Sequence, residues 1–346
     1  KRICYDRCMK ACGIIVEYNP MHQGHIHHLQ EAKRITGCDV LVVILSSYFS
    51  QRALPSLIDP YHKSQLAIQY GADLVIELPA VYAAQSADQF AKYAIESLAS
   101  IGVKWIVFGS ETNKIETLTN ILHEVESQEK DPSKSWAQNS AYALQPNDIL
   151  GIQYIKYCQK YGIIPLSIKR SAQFKSATQT RTDYFEKRTN EFLSEYFILN
   201  QQWSSYYPYL RLFLLMSDPS KIEQYFLVSE GIEYRLVEAA KKERTWEGFL
   251  SRTISKTYTR ARIQRVCLFI MLQIEKQEMK NHDHFSCAIV LGFNGHGRQY
   301  LKEIDRSRVY TRFRALPPFL KRVHLKSKFL YESVMDKNVK DTIYVL

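Results

Sequence analysis

Short apolar runs alternate with longer amphipathic segments through the first half of the chain. The runs are rich in β-branched residues and end at proline, glycine or polar clusters, which is typical of buried parallel strands. Strands are predicted at residues 13–16, 39–45, 73–78, 104–108 and 163–168. Helices are predicted between them, from residue 24 onward and at residues 61–70, 85–100, 115–127 and 147–161. Because strands and helices alternate, we expect a doubly wound, parallel α/β sheet with right-handed crossovers.

The spacing of apolar residues becomes mostly helical from about residue 190 onward. Helices are predicted at residues 192–199, 207–216, 222–242, 246–254 and 259–278. A strand-like run covers residues 286–291, and the glycine-rich segment 292–297 lacks dinucleotide-binding spacing, so we interpret it as a turn. The predicted divisions are a candidate N-terminal extension at 1–8, an α/β domain at 9–188 with a polar loop at 129–146, and a mainly helical domain at 189–346.

Positive charge is concentrated in the second half of the chain. Residues 1–150 contain 13 Lys and Arg against 16 Asp and Glu, a net charge of −3, whereas residues 151–346 contain 33 against 19, a net charge of +14. This asymmetry favours a catalytic half followed by a half that binds a polyanion. Arg260, Arg262 and Arg265 lie near one face of a predicted helix beside Tyr258, and the basic tail 306–328 is interleaved with aromatic residues. Both segments suit RNA phosphates with a neighbouring base, although a solvated helix face would have the same composition.

The composition indicates a soluble globular protein of the cytoplasm. Hydrophobic residues make up 46% and charged residues 23% of the chain. No apolar run approaches the roughly 20 residues that a membrane span needs, and the basic N-terminus lacks the apolar segment of a signal peptide. The seven cysteines are scattered, as expected in a reducing compartment. Cys4, Cys8 and Cys12 are evenly spaced, but no fourth ligand with zinc-type spacing follows, so we expect no metal site.

The strongest chemical signal lies between the first predicted strand and the first predicted helix. Asn19-Pro20 ends the strand, and His22, Gly24 and His25 follow as an H-x-G-H pattern at the start of the helix. A helix N-terminus presents free N–H groups and partial positive charge to phosphate, and two imidazoles add further donors. The pattern resembles the signature of the nucleotidyltransferase superfamily that includes class I aminoacyl-tRNA synthetases. On its own it would also fit a loose metal site in a polar turn.

A second pattern follows the fifth predicted strand. Ser176, Thr178 and Arg181 form S-x-T-x-x-R at a predicted helix start. Hydroxyls, free N–H groups and an arginine at such a position suit the outer phosphates of a nucleotide. The pattern is common as a simple helix cap, but it resembles the second signature of the same superfamily and occurs in the expected order.

Longer strings bring the resemblance closer than the superfamily. They are VEYNPMHQGH (16–25), YFSQRALPS (48–56), GADLVIELP (71–79), FGSE (108–111), PNDILGIQYIK (146–156), IKR (168–170), SATQTR (176–181) and EGIEYRL (230–236). In this order they resemble the tRNA(Met) cytidine acetate ligase family over nearly the whole chain.

The resemblance implies a function and a set of site residues. Acetate would be activated with ATP, accompanied by Mg²⁺, to acetyl-adenylate, and the acetyl group would pass to the wobble cytidine of elongator tRNA(Met). His22 and His25 would act on the phosphates as the catalytic pair. The implied ATP contacts are Ile15, Val16, Glu17, Tyr18, Asn19, Pro20, Met21, His22, Gln23, Gly24, His25, Ile26, His28, Gly109, Asn147 and Arg170, to which the second pattern adds Ser176, Thr178 and Arg181.

The chain also departs from the family pattern. Ala53 replaces a glycine, Ser56 an alanine and Pro60 a lysine, and the loop at 171–175 is shortened. Two alternatives therefore stay open. One is a small-molecule adenylyltransferase of coenzyme synthesis, which would not need the basic helical half. The other is a tRNA-binding module whose catalysis has decayed. A class I synthetase is disfavoured because no K-M-S-K-S-type lysine loop is present.

Overall fold

The computed structural model describes residues 8–127, 140, 142–171, 173–187 and 191–346. Most of the predicted N-terminal extension, most of the predicted loop at 129–146 and the predicted boundary at 188/189 lie outside the described residues. Among the described residues, no helix combines the length and the apolar character that crossing a bilayer requires.

The first half forms the predicted α/β unit. Its strands are β1 (Ala11–Val16), β2 (Val40–Ser46), β3 (Leu74–Leu78), β4 (Trp105–Ser110) and β5 (Ile164–Lys169). Its helices are α1 (Gln23–Thr36), α2 (Pro60–Gln69), α3 (Ala80–Ala83), α4 (Ala87–Ser100), α5 (Ile115–Ser127) and α6 (Pro146–Tyr161). The five predicted strands are confirmed and run parallel to one another in the order β5-β4-β1-β2-β3.

The order of the strands creates a switch point at β1. From β1 the chain continues to β2 and β3 on one side, and it returns to β4 and β5 on the other. β1 pairs with β2 along its full length, from Ala11 opposite Val40 to Val16 opposite Leu45. It pairs with β4 only at Cys12 and Gly13. The carboxyl ends of β1 and β4 therefore separate, and such a gap is where open α/β sheets bind ligands.

The second half is mainly helical but completes the same sheet. Its elements are α7 (Ala177–Thr182), α8 (Trp203–Met216), α9 (Pro219–Glu223), α10 (Ile232–Lys242), α11 (Trp246–Thr253), α12 (Arg260–Leu272), α13 (Lys276–Asn281), β6 (Ala288–Phe293), α14 (Gly295–Glu303), β7 (Val309–Tyr310), α15 (Pro318–Glu332) and β8 (Tyr344–Val345). β6 pairs antiparallel with β3, and β7 and β8 pair parallel with β6. The sheet is therefore mostly parallel rather than wholly parallel, and the helical half is joined to it by hydrogen bonds.

Several predicted helices of the second half are shorter or divided. Within 192–199 only a 3₁₀ turn forms, because Leu193 has a left-handed φ of 64°. The prediction at 222–242 is interrupted where Leu227, Glu230 and Gly231 take positive φ angles of 67°, 57° and 73°. The prediction at 259–278 divides at Gln273, whose φ is 48°. Positive φ angles cannot continue a right-handed helix, and hydrophobic spacing does not reveal them.

The predicted turn at 292–297 is wrong. It contains the end of β6 and the beginning of α14, with Asn294 as the N-cap that accepts a hydrogen bond from the amide of Gly297 at 3.1 Å. A Cβ atom on Gly297 would lie 2.0 Å from the carbonyl oxygen of Asp73. The glycine therefore permits close contact between α14 and the start of β3, rather than a free turn.

Apolar residues are buried on both faces of the sheet. Ile14 and Val43 belong to one hydrophobic cluster, whereas Val42 and Ile44 belong to the other. The second cluster continues into the helical half through residues such as Trp203 and Phe249. Burial on both faces explains the continuous apolar runs in the strands.

Candidate active site

A cleft opens at the carboxyl ends of β1 and β4, with a cavity volume of about 260 Å³. Most of the residues predicted to contact a nucleotide line it: Ile15, Val16, Glu17, Tyr18, Asn19, His22, Gly24, His25, His28, Gly109, Asn147, Arg170 and Ser176. Other residues of the lining were not predicted from the sequence: His27, Phe90, Phe108, Leu150, Tyr154, Ile168, Lys169, Ser171, Phe174 and Ala177. The predicted residues Pro20, Met21, Gln23, Ile26, Thr178 and Arg181 are outside this lining. Which of these residues contact a nucleotide stays a prediction.

His22 and His25 form a reciprocal cap at the start of α1. The Nδ1 atom of His22 accepts a hydrogen bond from the amide of Gly24 at 3.1 Å, and the Nδ1 atom of His25 accepts one from the amide of His22 at 3.2 Å. The two rings stack with their centroids 3.7 Å apart. Because each Nδ1 is an acceptor, the neutral ring carries its proton on Nε2. No described residue bonds either Nε2 atom, so both remain available as donors.

Both rings of this pair are electrically neutral at pH 7. Burial, followed by the positive charge of Arg170, lowers the pKa of His22 to about 4. Burial also holds the pKa of His25 well below its usual value, with further lowering by His22, His28 and Arg170. The pair therefore supplies N–H donors without two fixed charges, beside a helix N-terminus that favours anions.

His28 has a structural role, unlike the one proposed for His22 and His25. Its Nε2 atom donates to the carbonyl oxygen of Val107 in β4 at 2.9 Å. That carbonyl lies beyond the short paired stretch of β1 and β4. Burial lowers the pKa of His28 to about 4, so the ring bridges α1 and β4 in its neutral form. His28 therefore fixes the width of the gap in which the cleft lies.

Position 24, between the two histidines, has room only for glycine. A Cβ atom on Gly24 would lie 2.9 Å from Cε1 of His22 and 3.3 Å from Cβ of Phe174. Any side chain would thus push the His22 ring out of its cap or displace the wall of the cleft. At the opposite wall, nothing lies within 4 Å of the place where a Cβ atom of Gly109 would be, so the backbone there is open to a ligand.

The wall formed by β4 and α6 is held by two carboxylates. Asp148 is buried and accepts hydrogen bonds from Ser110 Oγ at 2.5 Å and from Thr112 Oγ1 at 2.7 Å. Glu111 accepts from Asn147 Nδ2 at 2.6 Å and from Arg170 Nη1 at 3.1 Å. These bonds bring Asn147 and Arg170 together at the cleft, and their contact with a nucleotide stays a prediction.

The wall formed by β1 and β2 contains a buried lysine that was not predicted from the sequence. Lys63 donates to the carbonyl oxygens of Ser46 at 2.5 Å, Ser47 at 2.6 Å and Glu17 at 3.1 Å. Burial lowers its pKa to about 7. Lys63 lies one helical turn after Pro60, and Pro60 is the position at which the family pattern has a lysine. The spacing of apolar residues around Lys63 does not indicate that it is buried. The Lys63 ammonium group therefore binds carbonyl oxygens at the carboxyl ends of both β1 and β2.

The second sequence pattern has a largely structural role in this geometry. Ser176 is the N-cap of α7 and accepts from the amide of Gln179 at 3.2 Å. Arg181 is partly buried and donates to Asn19 Oδ1 at 2.6 Å, to the Pro55 carbonyl at 3.0 Å and to the Gln201 carbonyl at 3.1 Å. The expectation that Arg181 faces the outer phosphates does not agree with this placement, because its guanidinium already joins three loops.

The three arginines predicted to bind RNA all have intramolecular partners. Arg260 pairs with Glu247 at 2.7 Å, and the guanidinium carbon of Arg262 lies 4.0 Å from the centre of the Tyr258 ring. Arg265 donates to the carbonyl oxygen of Gln85 at 2.6 Å. Their contact with RNA stays a prediction. No cluster of three or more His, Cys, Asp or Glu residues suited to a metal ion occurs in the part of the chain that the structure describes.

Comparison with known proteins agrees with the fold. A sequence profile of the family described as HIGH Nucleotidyl Transferase matches residues 9–342. A tRNA(Met) cytidine acetate ligase of Limosilactobacillus reuteri is 34% identical over 86% of this chain and 88% of its own length. One of Thermoanaerobacter sp. strain X514 is 33% identical over 98% of this chain and 95% of its own length. The crystal structure of Thermotoga maritima TmcAL bound with alpha-thio ATP superposes with a TM-score of 0.84 at 26% identity, covering 98% of this chain and all of the other. The chain therefore belongs to the tRNA(Met) cytidine acetate ligase family of HIGH nucleotidyl transferases.

Proposed function

We propose that this protein activates acetate with ATP and transfers the acetyl group to the wobble cytidine of elongator tRNA(Met), forming N4-acetylcytidine. The observation that carries the proposal is the neutral His22–His25 pair, capped around Gly24 at the start of α1 and facing the cleft between β1 and β4. Relatives that align with this chain over most of its length are tRNA(Met) cytidine acetate ligases, and Thermotoga maritima TmcAL binds an ATP analogue.

ATP is proposed to bind across the cleft from one wall to the other. The open backbone at Gly109, with Asn147 and Arg170 beside it, suits the nucleoside and its first phosphate. The start of α1, with the Nε2–H donors of His22 and His25, suits the remaining phosphates. Mg²⁺ is expected to accompany the nucleotide, held largely by phosphate oxygens and water, because Mg²⁺ in such sites keeps several waters.

The activation step needs alignment and charge stabilisation rather than a protein nucleophile. An oxygen of acetate attacks the α-phosphorus of ATP, a new P–O bond forms, the bond to the β-phosphate breaks, and pyrophosphate leaves. Negative charge grows on the departing pyrophosphate during this step. The Nε2–H donors of His22 and His25 would stabilise that charge without reorganisation.

Elongator tRNA(Met) is proposed to bind through the basic helical half, which carries the net charge of +14. A cytosine in an anticodon loop can be unstacked and presented to a cleft. We expect this to take place in the cytoplasm. A small-molecule adenylyltransferase would need no such basic half.

The test is acetate-dependent exchange of labelled pyrophosphate into ATP, measured with and without tRNA(Met). Propionate, glycine and no acid are the controls. Exchange that requires acetate, followed by acetylated tRNA on adding the RNA, is the expected result. Salt-sensitive tRNA binding without exchange for any acid would favour the decayed module. Exchange in the absence of tRNA affinity would favour the small-molecule enzyme.

A further inference from the structure

Glu17 places a carboxylate in the cleft that phosphate binding does not explain. It follows β1 directly and lines the cleft together with the histidine pair. A carboxylate beside the phosphates of ATP would repel them. The groups suited to a nucleotide, including Asn147 and Arg170, lie on the β4 side, whereas Glu17 is bonded to the β2 side through Gln51.

The carboxylate of Glu17 is held in one orientation. Its Oε1 atom accepts a hydrogen bond from the amide of Gln51 at 2.6 Å. No described residue bonds its Oε2 atom. Burial raises the pKa of Glu17, while the amide of Gln51 and the charges of Lys63, Arg52 and Arg181 act in the lowering direction. Oε1 is therefore held by a hydrogen bond, whereas Oε2 is available to accept a hydrogen bond or a proton.

The β2 side is also where the helical half meets the cleft. The carbonyl oxygen of Gln85 accepts from Gln51 Nε2 at 2.6 Å and from Arg265 Nη1 of α12 at 2.6 Å. Arg52, next to Gln51, is exposed and has no hydrogen-bond or ion-pair partner among the described residues. A nucleotide of an RNA bound to the basic half would therefore approach the cleft from the side of Glu17.

We propose that Glu17 is the general base of acetyl transfer and takes the proton from the exocyclic amine of the target cytidine. This proposal rests on the proposed function. The amine nitrogen attacks the acetyl carbonyl of the adenylate and forms the C–N bond. The C–O bond to the phosphate of AMP breaks, AMP leaves with that electron pair, and the amine proton passes to Oε2 of Glu17.

The chemistry of the acceptor explains why such a base is needed. The lone pair of a cytosine amine is delocalised into the ring, so the amine is a weak nucleophile and becomes acidic only as it attacks. A carboxylate whose pKa is raised is a stronger base than one in water, and a positioned base contributes about 100- to 10,000-fold to such a step. The hydrogen bond from the amide of Gln51 to Oε1 favours one orientation of Oε2.

Glu17→Gln is the test variant, because its amide oxygen can still accept from the amide of Gln51. Glu31→Gln is the matched control, since Glu31 is on α1 and its partner is Arg34 at the surface. Each protein is assayed for acetate-dependent pyrophosphate exchange, and for single-turnover transfer from supplied acetyl-adenylate to a tRNA(Met) transcript. We expect Glu17→Gln to lose transfer by about 100-fold or more beyond any loss of exchange.

The pH profile separates a base from a structural residue. Transfer by the unchanged protein should rise with pH as Glu17 ionises, and transfer by Glu17→Gln should lose that rise. Unchanged transfer in Glu17→Gln would overturn the proposal, as would equal losses of exchange and transfer. If the unchanged protein shows no acetate-dependent exchange but still transfers from supplied acetyl-adenylate, the proposed activation step fails, while the transfer assay continues to decide the role of Glu17.

Discussion

At the scale of single residues, His25 combines a capping bond with a free donor. Replacing it by alanine removes the acceptor for the amide of His22 and the Nε2–H group that faces the cleft. Loss of one donor that acts on developing charge costs about 100- to 1,000-fold in rate. We therefore expect His25→Ala to lower acetate-dependent pyrophosphate exchange by that amount while the protein remains folded by circular dichroism.

The control for this prediction is His123→Ala, because His123 is an exposed residue of α5. Its exchange rate should equal that of the unchanged protein. Normal exchange in His25→Ala would remove His25 from its assigned role. A cooperative loss of fold in His25→Ala would instead mean that the cap, rather than the donor, is the main contribution of this ring.

At the scale of elements, Arg181 connects loops that belong to different parts of the fold. Its bonds to Asn19, the Pro55 carbonyl and the Gln201 carbonyl join the loops after β1, after β2 and before α8. Arg181→Met would leave these buried acceptors short of donors, which costs about 3 kcal/mol in the free energy of unfolding. We expect urea denaturation to show that loss, with ATP affinity of the folded protein little changed.

Arg34→Met is the matched substitution for this test, since Arg34 is an exposed residue of α1 paired with Glu31 at 2.8 Å. It should change the free energy of unfolding very little, as exposed ion pairs usually do. If Arg181→Met kept full stability but bound ATP much more weakly, Arg181 would have the phosphate role that the sequence pattern suggested.

The position of Arg181 also shows which kind of feature could not be predicted from the sequence of this chain. Periodicity predicted the five parallel strands and their order along the chain because burial on both faces leaves continuous apolar runs. The H-x-G-H pattern located the cleft because its residues are adjacent along the chain. The placements of Arg181 and Lys63 depend on carbonyl groups from distant loops, to which no local spacing refers. The pairing of β6 with β3 joins positions more than two hundred residues apart, so it too was missed.

At the scale of the whole molecule, a buried histidine ties the C-terminal segment to the sheet. His324 of α15 donates from Nε2 to Asp341 at 3.0 Å, and its Nδ1 atom lies 3.8 Å from Oε2 of Glu77 in β3. Burial acts to lower the pKa of His324, but the hydrogen bond to Asp341 and the negative charges of Asp341 and Glu77 outweigh it and raise the pKa to about 9. The protonated ring therefore bridges two carboxylates from distant parts of the chain.

This bridge predicts a specific loss of stability at alkaline pH. The pKa of His324 is higher in the folded than in the unfolded chain, so the contribution is full below about pH 6.5 and disappears as the pH rises to about 9. A shift of this size corresponds to about 3 kcal/mol. Urea unfolding across this range should show the decline, and His324→Gln should lack it. An identical decline in both proteins would assign it to another group.

The largest-scale feature is the charge difference between the two halves, and Arg52 lies where they meet. It is exposed in the loop between β2 and α2, without a hydrogen-bond or ion-pair partner among the described residues. Burial and the charge of Arg262 lower the pKa of Arg265, and Arg52 is close enough to add to that lowering. A free guanidinium next to the cleft suits a phosphate of the bound RNA. We expect Arg52→Gln to weaken tRNA(Met) binding about tenfold and to reduce the slope of log affinity against log salt by about one.

Arg260→Gln is the control for Arg52→Gln, because the guanidinium of Arg260 already pairs with Glu247 at 2.7 Å. Arg260 would have to break its ion pair with Glu247 before binding a phosphate, so it would contribute less binding free energy. Arg260→Gln should therefore change the tRNA affinity and the salt slope less than Arg52→Gln. Pyrophosphate exchange without tRNA should be the same in both variants. If Arg260→Gln had the larger effect, the RNA would bind along α12 without passing the loop at Arg52, and the target cytidine would have to reach the cleft from another side.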